Sequence, residues 1–143
     1  MRHMSSPRAQ ALDLVQRYYA AFNRGDAKAM LDALSDTIVH DVNQGVRRVG
    51  KTAFKDFLEH MDHCYQEQLQ DIVVMASDDG TRASAEFLVK GRYKATDADL
   101  PPATGQTYAL AAGTFFEIAD GRIVRVTTYY NLQDWIAQIN RAA

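Results

Sequence analysis

Tyr18, Asp41, His60 and Cys64 are the side chains whose type and spacing could do chemistry. Tyr18 lies in LVQRYYAAFNRGD, where Ala11, Val15, Tyr18 and Phe22 recur at helical spacing and Leu14 and Ala21 widen the stripe. Its ring therefore points inward. A buried hydroxyl left unpaired costs about 1–3 kcal/mol, so Tyr18 either bonds a core backbone group or presents its hydroxyl to a ligand. In TIVHDVN, Thr37 to Asn43, alternation puts Ile38, His40 and Val42 on one face and Val39, Asp41 and Asn43 on the other. One polar group is expected to face inward. Asp41 is assigned that place and His40 the surface or an interface, and a register slip of one residue would exchange them. An aspartate is seldom buried without a partner, so Asp41 is either functional or on a solvated face paired with an arginine such as Arg47. His60 and Cys64 are four apart on a helical stretch beside His63, a spacing that could hold a metal or activate a thiol. No further ligand pair is evident, and no metal or cofactor is expected.

The elements that must position these groups follow in order. Ser6-Pro7 reads as an N-cap with proline at the first helical position, opening the helix of Tyr18, and Gly25 closes it. Asp26 can cap a short second helix with Met30, Leu31 and Leu34 as its apolar stripe, ending at Ser35-Asp36. After the strand through Asp41 and an exposed turn at Arg47-Arg48, Thr52 to Tyr65 predicts a third helix with Phe54, Phe57, Leu58, Met61 and Tyr65 at core spacing. From Leu69 the pattern becomes strands: Leu69 to Ser77, Arg82 to about Ala95, Gln106 to Ile118 and Arg122 to Tyr130, the last two joined by the hairpin signal Asp120-Gly121. The Pro-containing stretch Thr96 to Gly105 is a loop that could cover a pocket mouth. Asn131 can cap a final helix bearing Leu132, Trp135, Ile136 and Ile139.

With 143 residues and 47% hydrophobic composition, residues 5–143 suit one domain, and Met1 to Met4, with two methionines, reads as an expression remnant. A net charge of -2 offers no basic field, which argues against a nucleic-acid partner. The single cysteine forms no internal disulfide. Without an apolar run long enough to span a bilayer or act as a secretory signal, a cytoplasmic protein with no membrane partner is expected.

Helices followed by a run of antiparallel strands is an α+β pattern, and a curved sheet wrapped over the helices would enclose a central cavity. The order resembles the nuclear transport factor two-like fold, the cystatin-like cone. VQRYYAAFNRGD is similar to the first-helix segment of the ketosteroid isomerases, with Tyr18 on their oxyanion-binding tyrosine. Setting Gly50 and the helix through Phe57 on their counterparts brings Asp41 onto the catalytic base of that family. The resemblance thus implies proton abstraction next to a carbonyl, Asp41 as base and Tyr18 as oxyanion donor. Two positions depart from it: Thr114 replaces the second, protonated aspartic acid donor, and Leu58 replaces a supporting tyrosine. The wider group includes the small polyketide cyclases of the SnoaL type. Limonene-epoxide hydrolases share the fold, but Thr128 stands where they carry a catalytic aspartate. The chain as a whole resembles ketosteroid isomerase-related, SnoaL-like proteins, whose features include a strand ending HDVNQG or similar.

The leading expectation is an isomerase, cyclase or lyase acting on an apolar ring-containing carbonyl compound. The alternative is a non-catalytic protein that binds a hydrophobic metabolite. Phe22, Phe57, Met61, Phe87 and Val89 are expected to line the cavity, together with Tyr93, Thr114, Phe116, Thr128 and Tyr130. The opposite face of the sheet, with Leu88, Ile123 and Tyr129, could form a homodimer.

Overall fold

The computed structural model describes residues 5–142; residues 1–4, where the expression remnant was expected, and residue 143 lie outside the described residues. Helix α1, Pro7–Asn23, starts as its sequence dictates: the Ser6 hydroxyl accepts the Ala9 N–H at 3.1 Å and proline fills the first helical position. Asp26 caps the short helix α2, Ala27–Asp32, by accepting the Ala29 N–H at 3.0 Å. That helix ends before Leu34, earlier than its apolar stripe suggests. Leu34 instead opens strand β1, Leu34–Val42, where Leu34 and Ile38 are fully buried. Arg48, expected with Arg47 in an exposed turn, instead joins Val49 in the short strand β2, Arg48–Val49, which pairs with β1. Helix α3 is Lys51–Cys64, and β3, Tyr65–Ala76, follows without a loop. β4 (Arg82–Tyr93), β5 (Thr107–Ala119), β6 (Arg122–Tyr130) and α4 (Leu132–Arg141) complete the chain.

The strands form one sheet in the order β2-β1-β6-β5-β4-β3, antiparallel throughout except where β1 runs parallel to β6. Register shifts lie between Leu34 and Val39, between Gln70 and Val73, and between Glu117 and Ile118. Such irregularities bend a sheet and increase its twist. The result is the expected α+β cone, an unclosed curved sheet wrapped around the N-terminal helices. Asn23 ties the end of α1 to β3, its amide donating to the Leu69 carbonyl at 3.0 Å and its carbonyl accepting the Leu69 N–H at 2.8 Å.

Side-chain alternation sorts the sheet into an inner and an outer face. One inner row reads His40, Val126, Phe116 and Ala83, and the next reads Val42, Thr128, Thr114 and Ala85. Farther along the strands come Leu110, Val89 and Leu69, then Tyr108, Gly91 and Glu67. The outer face carries the row Asp41, Thr127, Phe115, Ser84 and Met75. Ile123, expected on the outer face, is fully buried: the shift between Glu117 and Ile118 re-aims it toward the core opposite Leu34.

Candidate active site

The inner face of the sheet, α1 and α3 enclose a cavity of about 510 Å³ with a predominantly aliphatic and aromatic wall. Such a volume suits a small organic molecule. At one end α1 supplies two tyrosines. The Tyr18 ring stands edge-on to Phe116 at 6.1 Å, and Tyr19 packs on Phe87 at 5.0 Å. The Tyr19 hydroxyl donates to Thr114 Oγ1 at 2.7 Å, so the Thr114 hydroxyl proton is free to point into the cavity. Tyr18 has no hydrogen-bond partner among the described residues, and burial raises its phenol well above the ordinary value. It therefore remains a proton donor at every physiological pH.

His40 lines the same cavity. It lies in the inner row that contains Phe116, two strands away, a separation of about 10 Å. Its ring is wedged between Phe54 at 4.5 Å and Phe57 at 4.6 Å, and the residue is only 3% exposed. Nδ1 is buried without a partner among the described residues. Burial, helped by the nearby Arg48 charge and opposed by Asp41, lowers the His40 pKa to about 4, so the imidazole is neutral at pH 7. Arg48 itself lines the cavity and sets its guanidinium 5.4 Å from the Phe57 ring centroid.

A second polar group lies farther along the sheet. Thr114 and Tyr108 are six residues apart on β5, about 20 Å of strand. There Tyr108 donates to Glu67 Oε2 at 2.5 Å, and burial pushes the Glu67 carboxyl above the usual carboxylate range. The Tyr108 ring lies directly over Gly91, the residue between it and Glu67 in the ladder, and no side chain fits beneath it. Next to them Asp97, from the loop after β4, accepts the Tyr65 hydroxyl at 2.7 Å and contacts His60 Nε2 at 2.8 Å. Asp97 and Leu100 from this loop line the cavity, as a covering segment should.

Residues 15–126 match the SnoaL-like domain. The chain belongs to the SnoaL-like family. It is similar to a provisionally assigned polyketide cyclase from Xanthomonas campestris, at 57% identity over 94% of this chain and 99% of that one, with a TM-score of 0.91. A second provisionally assigned polyketide cyclase, from Pseudomonas putida, is 56% identical over 90% of this chain and 97% of the other, with a TM-score of 0.89. An epoxide hydrolase of M. tuberculosis shares the fold at 18% identity over 94% of this chain and 92% of the other, with a TM-score of 0.71. No curated protein sequence matches the chain.

The expected base is not in the cavity of this SnoaL-like protein. Asp41 points to the outer face, where Arg47 grips it with two donors at 2.8 and 3.0 Å and Thr127 donates to it at 2.9 Å. The Arg47 hydrogen bonds hold its carboxyl below the usual range. The correction is a register of one residue: Ile38, His40 and Val42 form the inner face, and His40 occupies the place assigned to Asp41. Tyr93 and Phe116 are also corrected, because both are fully buried packing residues outside the lining. Tyr93 accepts the Asp97 N–H at 2.8 Å and donates to the Pro101 carbonyl at 2.7 Å, while Phe116 supports the two α1 tyrosines. Tyr18, Phe22, Phe57, Met61, Phe87, Val89, Thr114, Thr128 and Tyr130 do line the cavity. Tyr19 and Glu67 were missed. Tyr19 is four residues from Val15, a spacing legible on the helix stripe. Glu67 needed β3 to begin at Tyr65, which puts Tyr65, Glu67 and Leu69 on one face.

Proposed function

We propose that this SnoaL-like protein is a small-molecule enzyme of cyclase or isomerase type that moves a proton next to a carbonyl of an apolar, ring-containing substrate. The observation that carries the reading is that Tyr18 and His40, two buried polar side chains without described partners, both line one aromatic cavity. Neutral His40 has a lone pair to accept the proton, and a conjugate-acid pKa of about 4 gives it the basicity of an ordinary carboxylate. The electrons left on carbon pass to the carbonyl oxygen. Tyr18 donates a hydrogen bond to that oxygen, and Thr114, polarised by Tyr19, offers a second donor in place of the absent acid. His40 then returns the proton at the carbon where the product requires it. The relatives provisionally assigned as polyketide cyclases support the same class of substrate.

Deuterium exchange at the acidic carbon of a panel of cyclic ketones tests this. His40→Gln should slow exchange about 10²–10⁴-fold and Tyr18→Phe about 10²–10³-fold, whereas Asp41→Asn should stay within a few-fold of wild type. Equal rates for wild type and His40→Gln would overturn the assignment of the base. Ligand-induced thermal shifts with no exchange in any variant would favour the non-catalytic binding reading.

The proposed assembly is a homodimer through the outer face of the sheet. Val73, Met75, Phe115 and Tyr129 are exposed there at 54%, 53%, 48% and 41%, and the rings of Phe115 and Tyr129 touch at 5.9 Å.

A further inference from the structure

His60 and Cys64 stand one helical turn apart at the end of α3 and share a face. The loop after β4 delivers Asp97 to that face. Its placement is fixed by backbone bonds from Lys94 and Ala95 to the Cys64 carbonyl, at 2.7 and 3.3 Å, and by the Asp97 N–H bond to Tyr93. His60 Nε2 consequently lies 2.8 Å from Asp97 Oδ1 and 3.9 Å from Cys64 Sγ, and the ligand atoms of all three residues fall within 4.8 Å of one another.

This arrangement is not a nucleophilic relay. A thiol–imidazole–carboxylate relay needs the thiol and the carboxylate on opposite ring nitrogens, so that one nitrogen takes the proton while the other is oriented. Here both meet Nε2, and a single N–H can be donated to only one of them. Convergence of three donors on one point is instead the arrangement of ligands around a cation. The geometry points to a divalent transition-metal site of the zinc class formed by His60, Cys64 and Asp97, with its open coordination position toward the cavity.

Sulfur, imidazole nitrogen and carboxylate oxygen together select a borderline-soft ion over magnesium or calcium. Tetrahedral zinc with ordinary bond lengths separates such donors by about 3.4–3.6 Å. The contacts at 2.8 and 3.9 Å bracket that range, and the third separation, within 4.8 Å, closes by rotation of the Asp97 and Cys64 side chains. Tyr65 holds the other oxygen of Asp97 at 2.7 Å and orients the carboxylate, as outer-shell partners of metal ligands do. His60 and Asp97 both line the cavity, which gives a bound carbonyl or hydroxyl oxygen access to the fourth position. The expectation of no metal rested on the want of a further ligand, and Asp97 supplies it from 33 residues beyond Cys64.

Titration of the chelator-treated chain with Co²⁺, followed by absorption, tests the site without any assay of activity. One ion should bind per chain, with a sulfur-to-cobalt charge-transfer band that Zn²⁺ displaces. Cys64→Ser should abolish the band, and His60→Gln and Asp97→Asn should each weaken binding at least tenfold. Tyr65→Phe should weaken it about tenfold. His60 is exposed, so its variant keeps the fold even if the buried Cys64 position does not tolerate change. Absence of the charge-transfer band at saturating Co²⁺, or wild-type affinity in a folded His60→Gln or Asp97→Asn chain, would overturn the proposal.

Discussion

His40 couples the chemistry of the cavity to the stability of the chain. Its pKa falls from 6.5 to about 4 because burial between Phe54 and Phe57 penalises the charged ring. In the unfolded chain the same histidine protonates near pH 6.5. Between these values the unfolded state binds more protons than the native one, so stability is complete above pH 6.5 and falls as the pH drops toward 4. The loss across that window is about 3 kcal/mol. Urea unfolding at pH 7 and pH 4.5 should show a marked fall in midpoint for wild type and a much smaller one for His40→Leu. The proposed active-site base is therefore also an acid-sensitive point in the core. Asp41, one residue away, has the opposite character: exposed Arg47 is its main partner, and Arg47→Ala should leave the urea midpoint close to that of wild type.

Among the strands, β5 reaches across β4 to β3 under a constraint set by Gly91 of β4. A methyl at that position would overlap the Tyr108 ring, so Gly91→Ala must displace the phenol or the strand. The expected loss is about 1–3 kcal/mol by urea denaturation, with the Tyr108–Glu67 hydrogen bond broken. This constraint is hidden in the sequence, because alternation along β4 does not show which ring lies over Gly91. The helices were far more legible, because Ser6, Asp26 and Asn131 each announce a start by side-chain capping and each does cap. The strands from Arg82 onward were legible from alternation and the Asp120-Gly121 turn. What could not be read was which face of β1 turns inward: both faces of TIVHDVN carry an aliphatic and a polar residue, and only pairing with β6 decides between them. The start of β3 was obscured for a related reason. Tyr65 continues the apolar stripe of α3 yet is the first extended residue, and misplacing it concealed Glu67.

At the scale of the whole molecule, the cone puts its polar groups at separated places on one apolar wall and leaves an apolar patch outside. If that patch is an interface, sedimentation of wild type should give a dimer, and Phe115→Glu should give a folded monomer with the cavity intact. A monomeric wild type at high concentration would remove the interface. Among the described residues no helix is long and apolar enough to cross a membrane. The parallel pairing of β1 with β6 has a further consequence, one of timing. Thr127 bonds Asp41 from 86 residues away, so the wall that carries His40 has no sheet partner on that side until β6 has been synthesised. Contacts of such long range close slowly and late. On the ribosome β1 and its neighbouring helices must wait with an unpaired edge, and the pocket closes only after every strand between β1 and β6 has emerged.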